Sequence, residues 1–195
     1  MTADTQDKLS PLTRLLHWSV ALFIIGLLAV GLYMVRYEAW ALYPIHKSFG
    51  LLAAALIAAR VAWRWRNGWP PPVREQGRFE ARVVHVAHWM LLVGTIVMPI
   101  SGLMFSSISG HGLQFFGLEL FPSNPVHGAD GEPLPLNANW SDWSQASHRL
   151  IGYCLVAAVS LHVLAALKHH VVDRDATLRR MLSGRNDDPR KAANS

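Results

Sequence analysis

Four apolar runs constrain this chain more than any other feature: residues 12–33, 43–63, 83–105 and 144–167. At about 1.5 Å rise per residue, each is long enough to cross the ~30 Å hydrocarbon core of a bilayer. A segment in lipid must satisfy its own backbone, and runs of this length do so as helices. Four spans leave little of the 195 residues for a soluble domain. The expected fold is therefore all-α, a transmembrane four-helix bundle forming one domain over 1–195. The charged share agrees: it is 16%, against about 25% in ordinary soluble domains. The first run is too long for the apolar core of a cleavable signal, and no small-residue cleavage site follows it.

The net charge of +5 is a matter of topology. Arg64, Arg66, Arg74, Arg78 and Arg82 crowd the connection between the second and third runs. Lys168, Arg174, Arg179, Arg180, Arg185, Arg190 and Lys191 follow the fourth, whereas residues 106–147 contain no Lys or Arg. Basic loops stay on the cytoplasmic side. Both termini, the 64–82 connection and the 171–195 tail are thus expected in the cytoplasm, with the 106–143 loop in the periplasm. The partner of such a surface is membrane lipid, and nucleic acid is excluded. Cys154, the single cysteine, lies mid-span and allows no intramolecular disulfide; it reads as a small packing residue. The Trp residues near run ends form an interfacial belt. "RWRNGWPPPVREQGR" (64–78) breaks the second helix, and "HGLQFFGLELF" (111–121) is expected as a short helix lying in the interface.

Histidines within such runs need an explanation, because an ionisable side chain in hydrocarbon is costly and marks function by default. His148 and His162 stand 14 residues apart in the fourth run. At about 100° per residue they are roughly 40° short of four full turns, so they share a face about 21 Å apart along the axis. Topology sorts the others by depth. His46 enters the second run at the outer level, with His148; His17 lies about one turn into the first run at the inner level, with His162. Two imidazoles from different helices, facing at one depth, meet the requirement of bis-histidine haem b ligation in a bundle core. Two such levels predict two haem b groups, with His17 and His162 on the inner iron and His46 and His148 on the outer. Lys47 and Arg149 follow the outer pair and Arg14 precedes His17, where they would neutralise haem propionates. Gly50 and Gly152 stand one turn inward of the outer histidines and would let a flat macrocycle approach. Zinc is the competing metal, with His85 and His88 joining His17, but it prefers three or four close ligands, and these pairs lie at opposite faces.

Together these stretches, "TRLLHW", "IHKSFG", "HVAHWMLLVGTIVMPISGLM", "SHRLIGY" and "LHVLAALKHHVVDRDATLRRM", resemble the bacterial four-helix cytochrome b561 family. That family is related to the cytochrome b subunits of nickel hydrogenases and formate dehydrogenases. The chain is most similar to the members that oxidise superoxide and reduce ubiquinone. The resemblance implies a bacterial inner-membrane location, and it implies the pairs His17 with His162 and His46 with His148. A weak internal repeat favours a different inner pair. "LLHWS" (15–19) matches "VAHWM" (86–90), and "HKSFG" (46–50) matches "HRLIG" (148–152), which would set His88 opposite His17. The shared face of His148 and His162 favours His162, leaving His88 beside the site or facing quinone.

With both axial positions of each iron filled, electron transfer is the expected chemistry. The function expected is an oxidoreductase moving electrons between a periplasmic donor, superoxide first, and membrane ubiquinone. Lys47, Arg149 and Arg36 would steer the superoxide anion to the outer level. His85, His88 and His169 would serve quinone or proton delivery, since imidazole ordinarily titrates near neutrality. The alternative is an electron-relay subunit for a hydrogenase, a dehydrogenase or another periplasmic redox partner. A homodimer is compatible with either.

Overall fold

Ser10 starts the first helix, its hydroxyl accepting from the Thr13 amide with Pro11 at the first helical position, where no amide is needed. From there the computed structural model runs as four long helices: α1 (Pro11–Tyr37), α2 (Tyr43–Asn67), α3 (Arg78–Ile108) and α4 (Ala138–Val171). The structure describes residues 4–5, 8–73 and 77–185. Arg74, Arg190 and Lys191 of the basic clusters lie outside them. Each long helix contains one of the apolar runs and is long and apolar enough to cross a membrane. Only 6% to 17% of their most apolar windows is buried within the protein, so the rest of that surface is left for lipid.

Consecutive helices alternate in direction. The bundle therefore has a terminal end, with the start of α1, the α2–α3 connection and the end of α4, and a loop end carrying residues 109–137. α3 lies along α4 and α1 along α2, whereas α1 approaches α4 at few positions and α2 scarcely touches α4. Leu155 fills the α3–α4 seam so tightly that a Cβ on Gly94 would sit 2.7 Å from its Cδ2. Val20, Ile24, Ala53 and Ile57 form the buried mid-bundle core, with Leu27, Leu28, Ile96 and Val159 against it.

The stretch 111–121 is a β-hairpin, not the helix expected from its apolar run. Strands β1 (Leu113–Phe115) and β2 (Leu118–Phe121) pair antiparallel. Phe116 and Gly117 between them both take positive φ, 48° and 90°. Two consecutive left-handed residues make the two-residue hairpin turn and end any helix. Ser48 ties the hairpin to α2, accepting from the Phe116 amide at 3.0 Å and donating to the Pro44 carbonyl at 2.8 Å.

A fifth helix, α5 (Thr177–Ser183), straps the terminal end. Arg14 donates to the Leu182 carbonyl at 2.6 Å, Trp18 to Met181 at 3.0 Å, and the Leu9 amide to Gly184 at 2.9 Å. Arg180 reaches the Pro71 carbonyl at 2.9 Å, so the strap joins α1 to the α2–α3 connection.

Candidate functional site

Helix geometry sets the site. α4 carries His148 and His162 at the two ends of one face, and each meets an imidazole from another helix. At the loop end the rings of His46 (α2) and His148 have centroids 6.5 Å apart. At the terminal end His17 (α1) and His162 have centroids 6.5 Å apart as well. An iron held between two imidazoles, with bonds of about 2 Å and about 1.15 Å from each nitrogen to its ring centre, would put centroids about 6.3 Å apart. Both pairs match that span. They also bridge two helix pairs that pack only sparsely, α2 with α4 and α1 with α4.

A small cavity of about 50 Å³ reaches from His46 and His148 to the apolar core, lined by Ile24, Leu28, Ala53, Met98 and Leu155. Gly50 borders it, and a Cβ there would meet nothing within 4 Å. The Nδ1 of His46 is buried and has no hydrogen-bond partner among the described residues. Paired imidazoles, an apolar slot and open space beside a glycine are the features a flat, bis-ligated macrocycle needs. The residues present fit haem b. Gly152, the other glycine singled out, instead lies against Met98, whose Cε would be 3.4 Å from an added Cβ.

The terminal end is more crowded. His88 (α3) also contacts His162, with centroids 5.7 Å apart, and its other neighbour is Trp69 at 6.1 Å. His162 is thus the ring common to both contacts. The 5.7 Å separation is short for two imidazoles on one iron, and 6.5 Å suits it. His85 stands apart: its Nε2 accepts from the Trp89 indole at 2.9 Å. The zinc grouping of His17, His85 and His88 is therefore not assembled around a common point.

The cations sit differently from their sequence positions. Arg14 is taken up by α5. Lys47 donates to the Gly112 carbonyl at 3.0 Å and lies over the Tyr43 ring, 5.7 Å from its centroid. Arg149 is exposed on α4. His169 is held by two carboxylates, Asp173 at 2.9 Å and Asp175 at 3.2 Å. Their ligand atoms all lie within 4.8 Å of one another. Lys168 already neutralises Asp173 at 2.8 Å, and Asp175 accepts from the Thr177 amide at the start of α5. The cluster is accounted for as the joint between α4 and α5. Cys154 lies on the exposed face of α4.

Two residues escaped sequence reasoning. Arg60 stands on α2 within electrostatic reach of His17, His88 and His162. Among the described residues no carboxylate pairs with it, whereas its neighbour Arg64 has Asp4 at 4.0 Å. The signal was available: Arg60 follows His46 by 14 residues, the same spacing that separates His148 from His162. Ser101 (α3) lies 2.9 Å from Nδ1 of His148. No spacing rule announces it.

Comparison with known proteins agrees with this geometry. Residues 8–184 match the family model described as prokaryotic cytochrome b561. The chain is 30% identical to cytochrome b561 homolog 2 of Escherichia coli (strain K12) over 193 residues, covering 95% of this chain and 96% of that one. It is 30% identical to the protein of Yersinia pestis named "Probable superoxide oxidase CybB" over 171 residues, covering 86% and 91%. Cytochrome b561 homolog 1 of Escherichia coli (strain K12) is 26% identical over 180 residues. A match over nearly the whole length, on a four-helix membrane bundle with histidines facing across it, establishes that this chain belongs to the prokaryotic cytochrome b561 family, whose members carry b-type haem in membrane electron transfer.

Proposed function

We propose that the chain is a di-haem inner-membrane oxidoreductase taking electrons from periplasmic superoxide and delivering them to ubiquinone. The observation that carries this reading is the paired histidines at both ends of α4, each pair 6.5 Å apart. Haem b at each level, when bound, would supply one-electron transfer.

The chain's own residues do the rest. His46 and His148 would hold one iron and His17 and His162 the other, with the two α4 histidines about 21 Å apart along the helix. Val20, Ile24, Ala53 and Ile57 keep water out of the space between. The Lys and Arg distribution supports the terminal end in the cytoplasm and the loop end in the periplasm. Lys47, Arg149 and the exposed Arg36 then supply positive charge at the periplasmic face. Arg60, charged within the span, suits a haem propionate or a reduced quinone oxygen at the terminal end. His88 and His169 border that level and can pass protons toward it. The relative named a probable superoxide oxidase supports the choice of donor.

The alternative is a relay subunit receiving electrons from a protein partner. The hairpin favours it to this extent: Phe116, Leu118 and Phe121 expose 57%, 65% and 54% of their surface at the loop end. One experiment separates the two. Purified protein, shown by reduced-minus-oxidised spectra to carry two b haems, is mixed with superoxide and a ubiquinone analogue. Quinone reduction by the chain alone is expected; reduction only with an added redox protein would favour the relay.

A further inference from the structure

We propose that Ser101 is a positioning residue for the loop-end haem, holding His148 in one tautomer and tuning the potential of the iron it binds. This rests on the haem reading above and adds a residue to it.

The argument begins with the Ser101 hydroxyl. It is buried, with 6% of the residue exposed, on the face of α3 that meets α4. It has one proton, and that proton goes to the Met98 carbonyl at 2.8 Å. Only lone pairs remain for His148, whose Nδ1 lies 2.9 Å from the oxygen. With the hydroxyl turned to that carbonyl, Nδ1 is the donor and carries the ring hydrogen. Nε2 is then left with its lone pair, the form a haem iron requires.

The neighbouring residues shape the same socket. Gly102 follows Ser101, and a Cβ there would stand 3.0 Å from Cε1 of His148 and 3.3 Å from Nδ1, against 3.9 Å from Nε2. The Cε1–Nδ1 edge of the ring thus rests on the α3 backbone, with Nε2 the farther nitrogen. Pro99 stands inside α3, one residue after the carbonyl that takes the Ser101 proton, and lines the same cavity. "MPISG" (98–102) is a seat for one imidazole, built from a carbonyl, a hydroxyl and a missing side chain.

His46, across the site, has no such seat: its buried Nδ1 finds no partner among the described residues. One ligand of the pair is fixed and the other adjustable. A ligand imidazole that donates from its second nitrogen is the stronger electron donor, and it favours the oxidised, more positive iron. Removing the Ser101 hydroxyl takes away that acceptor while the α3 backbone at Gly102 still supports the ring. The loop-end haem should stay bound and become easier to reduce.

The test uses full-length protein in detergent, comparing wild type, Ser101→Ala and Ser101→Thr by spectroelectrochemical titration and by electron paramagnetic resonance of the oxidised haems. Ser101→Ala is expected to shift the loop-end couple toward the reduced form by up to about tenfold, about 59 mV for one electron, with the other couple unmoved. Its low-spin resonance should change, and Ser101→Thr should restore both. Loss of the loop-end haem in Ser101→Ala alone, with Ser101→Thr loaded, would also support the proposal, since the hydroxyl would then be needed for binding. A fully loaded Ser101→Ala with unchanged potential would overturn it. So would equal shifts, or equal haem loss, in both variants, which would mark Ser101 as packing only. Wild-type protein without two bis-histidine haems would overturn the underlying reading as well.

Discussion

The loop end and the terminal end draw on the same face of α4, yet their surroundings differ in kind. At the loop end His46 and His148 face one another among apolar side chains, with a serine hydroxyl as the polar contact of the ring on α4. Lys47 is turned to the hairpin, donating to a backbone carbonyl. At the terminal end His162 touches two imidazoles, and Arg60 and Arg64 act on them electrostatically. Equal spacing along a helix has produced one level lined by apolar side chains and one level with arginines beside its imidazoles. Positive charge favours the state that has gained an electron. On the proposed reading, the bundle is therefore biased to move electrons from the loop end to the terminal end.

The largest effect should come from cutting one level out. His148→Ala or His46→Ala is expected to remove the loop-end haem while the terminal-end haem survives, because each pair stands at its own depth. Haem-to-protein stoichiometry would fall by half, and the remaining spectrum would stay bis-histidine. Equal loss of both haems in a folded variant would show that the ends are not independent sites.

Next in size is the choice within the terminal trio. His162→Ala should empty the site or turn its haem high-spin, since His162 is the ring that both neighbours share. His88→Ala should leave a bis-histidine spectrum and slow quinone reduction. The opposite outcome would make the internal repeat, with His17 opposite His88, the better guide.

The bundle was legible because long uncharged runs admit few structures in lipid. The facing histidines were legible because 14 residues nearly complete whole helical turns, a purely local fact. Where the outcome depended on distant partners, local reasoning failed. Arg14 beside His17 reads as a haem cation, but its partner is the Leu182 carbonyl, 168 residues away. Ser101 gains its meaning only when α3 lies against His148, 47 residues on. The hairpin was misread for another reason: its apolar residues suited an interfacial helix, and the turn at Phe116 and Gly117 was given too little weight. Arg60 was missed although its spacing from His46 was in plain view.

Arg60 gives the third test. Replacing it with Gln removes a cation from the terminal end while keeping similar bulk. The terminal-end couple should shift toward the oxidised form by about tenfold, roughly 1.4 kcal/mol, the scale of one nearby charge at an effective dielectric of about 20 or somewhat higher. The loop-end couple should hardly move. A redox titration checks both together, and equal shifts at the two ends would remove the electrostatic contrast between them.

The smallest expected effect concerns how the donor arrives. Arg36 is exposed in the last turn of α1, its guanidinium 5.6 Å from the Tyr37 ring centroid. It stands ten residues before His46 in sequence, and no hydrogen bond ties it to the hairpin as Lys47 is tied. Lys47→Gln would disturb the roof over the site, so Arg36→Gln is the cleaner probe of long-range attraction. If superoxide meets a basic face, its second-order rate should fall as salt rises, because the Debye length shrinks from about 10 Å at 0.1 M to about 3 Å at 1 M. Arg36→Gln should lower the rate a few-fold at low salt, flatten that dependence, and leave haem content unchanged. Pulse-radiolysis reduction of the haems across a salt series measures all three. A salt-independent rate in fully loaded protein would mean that charge at the loop end does not recruit the donor. It would turn attention to the exposed hairpin, and to a protein partner docking there.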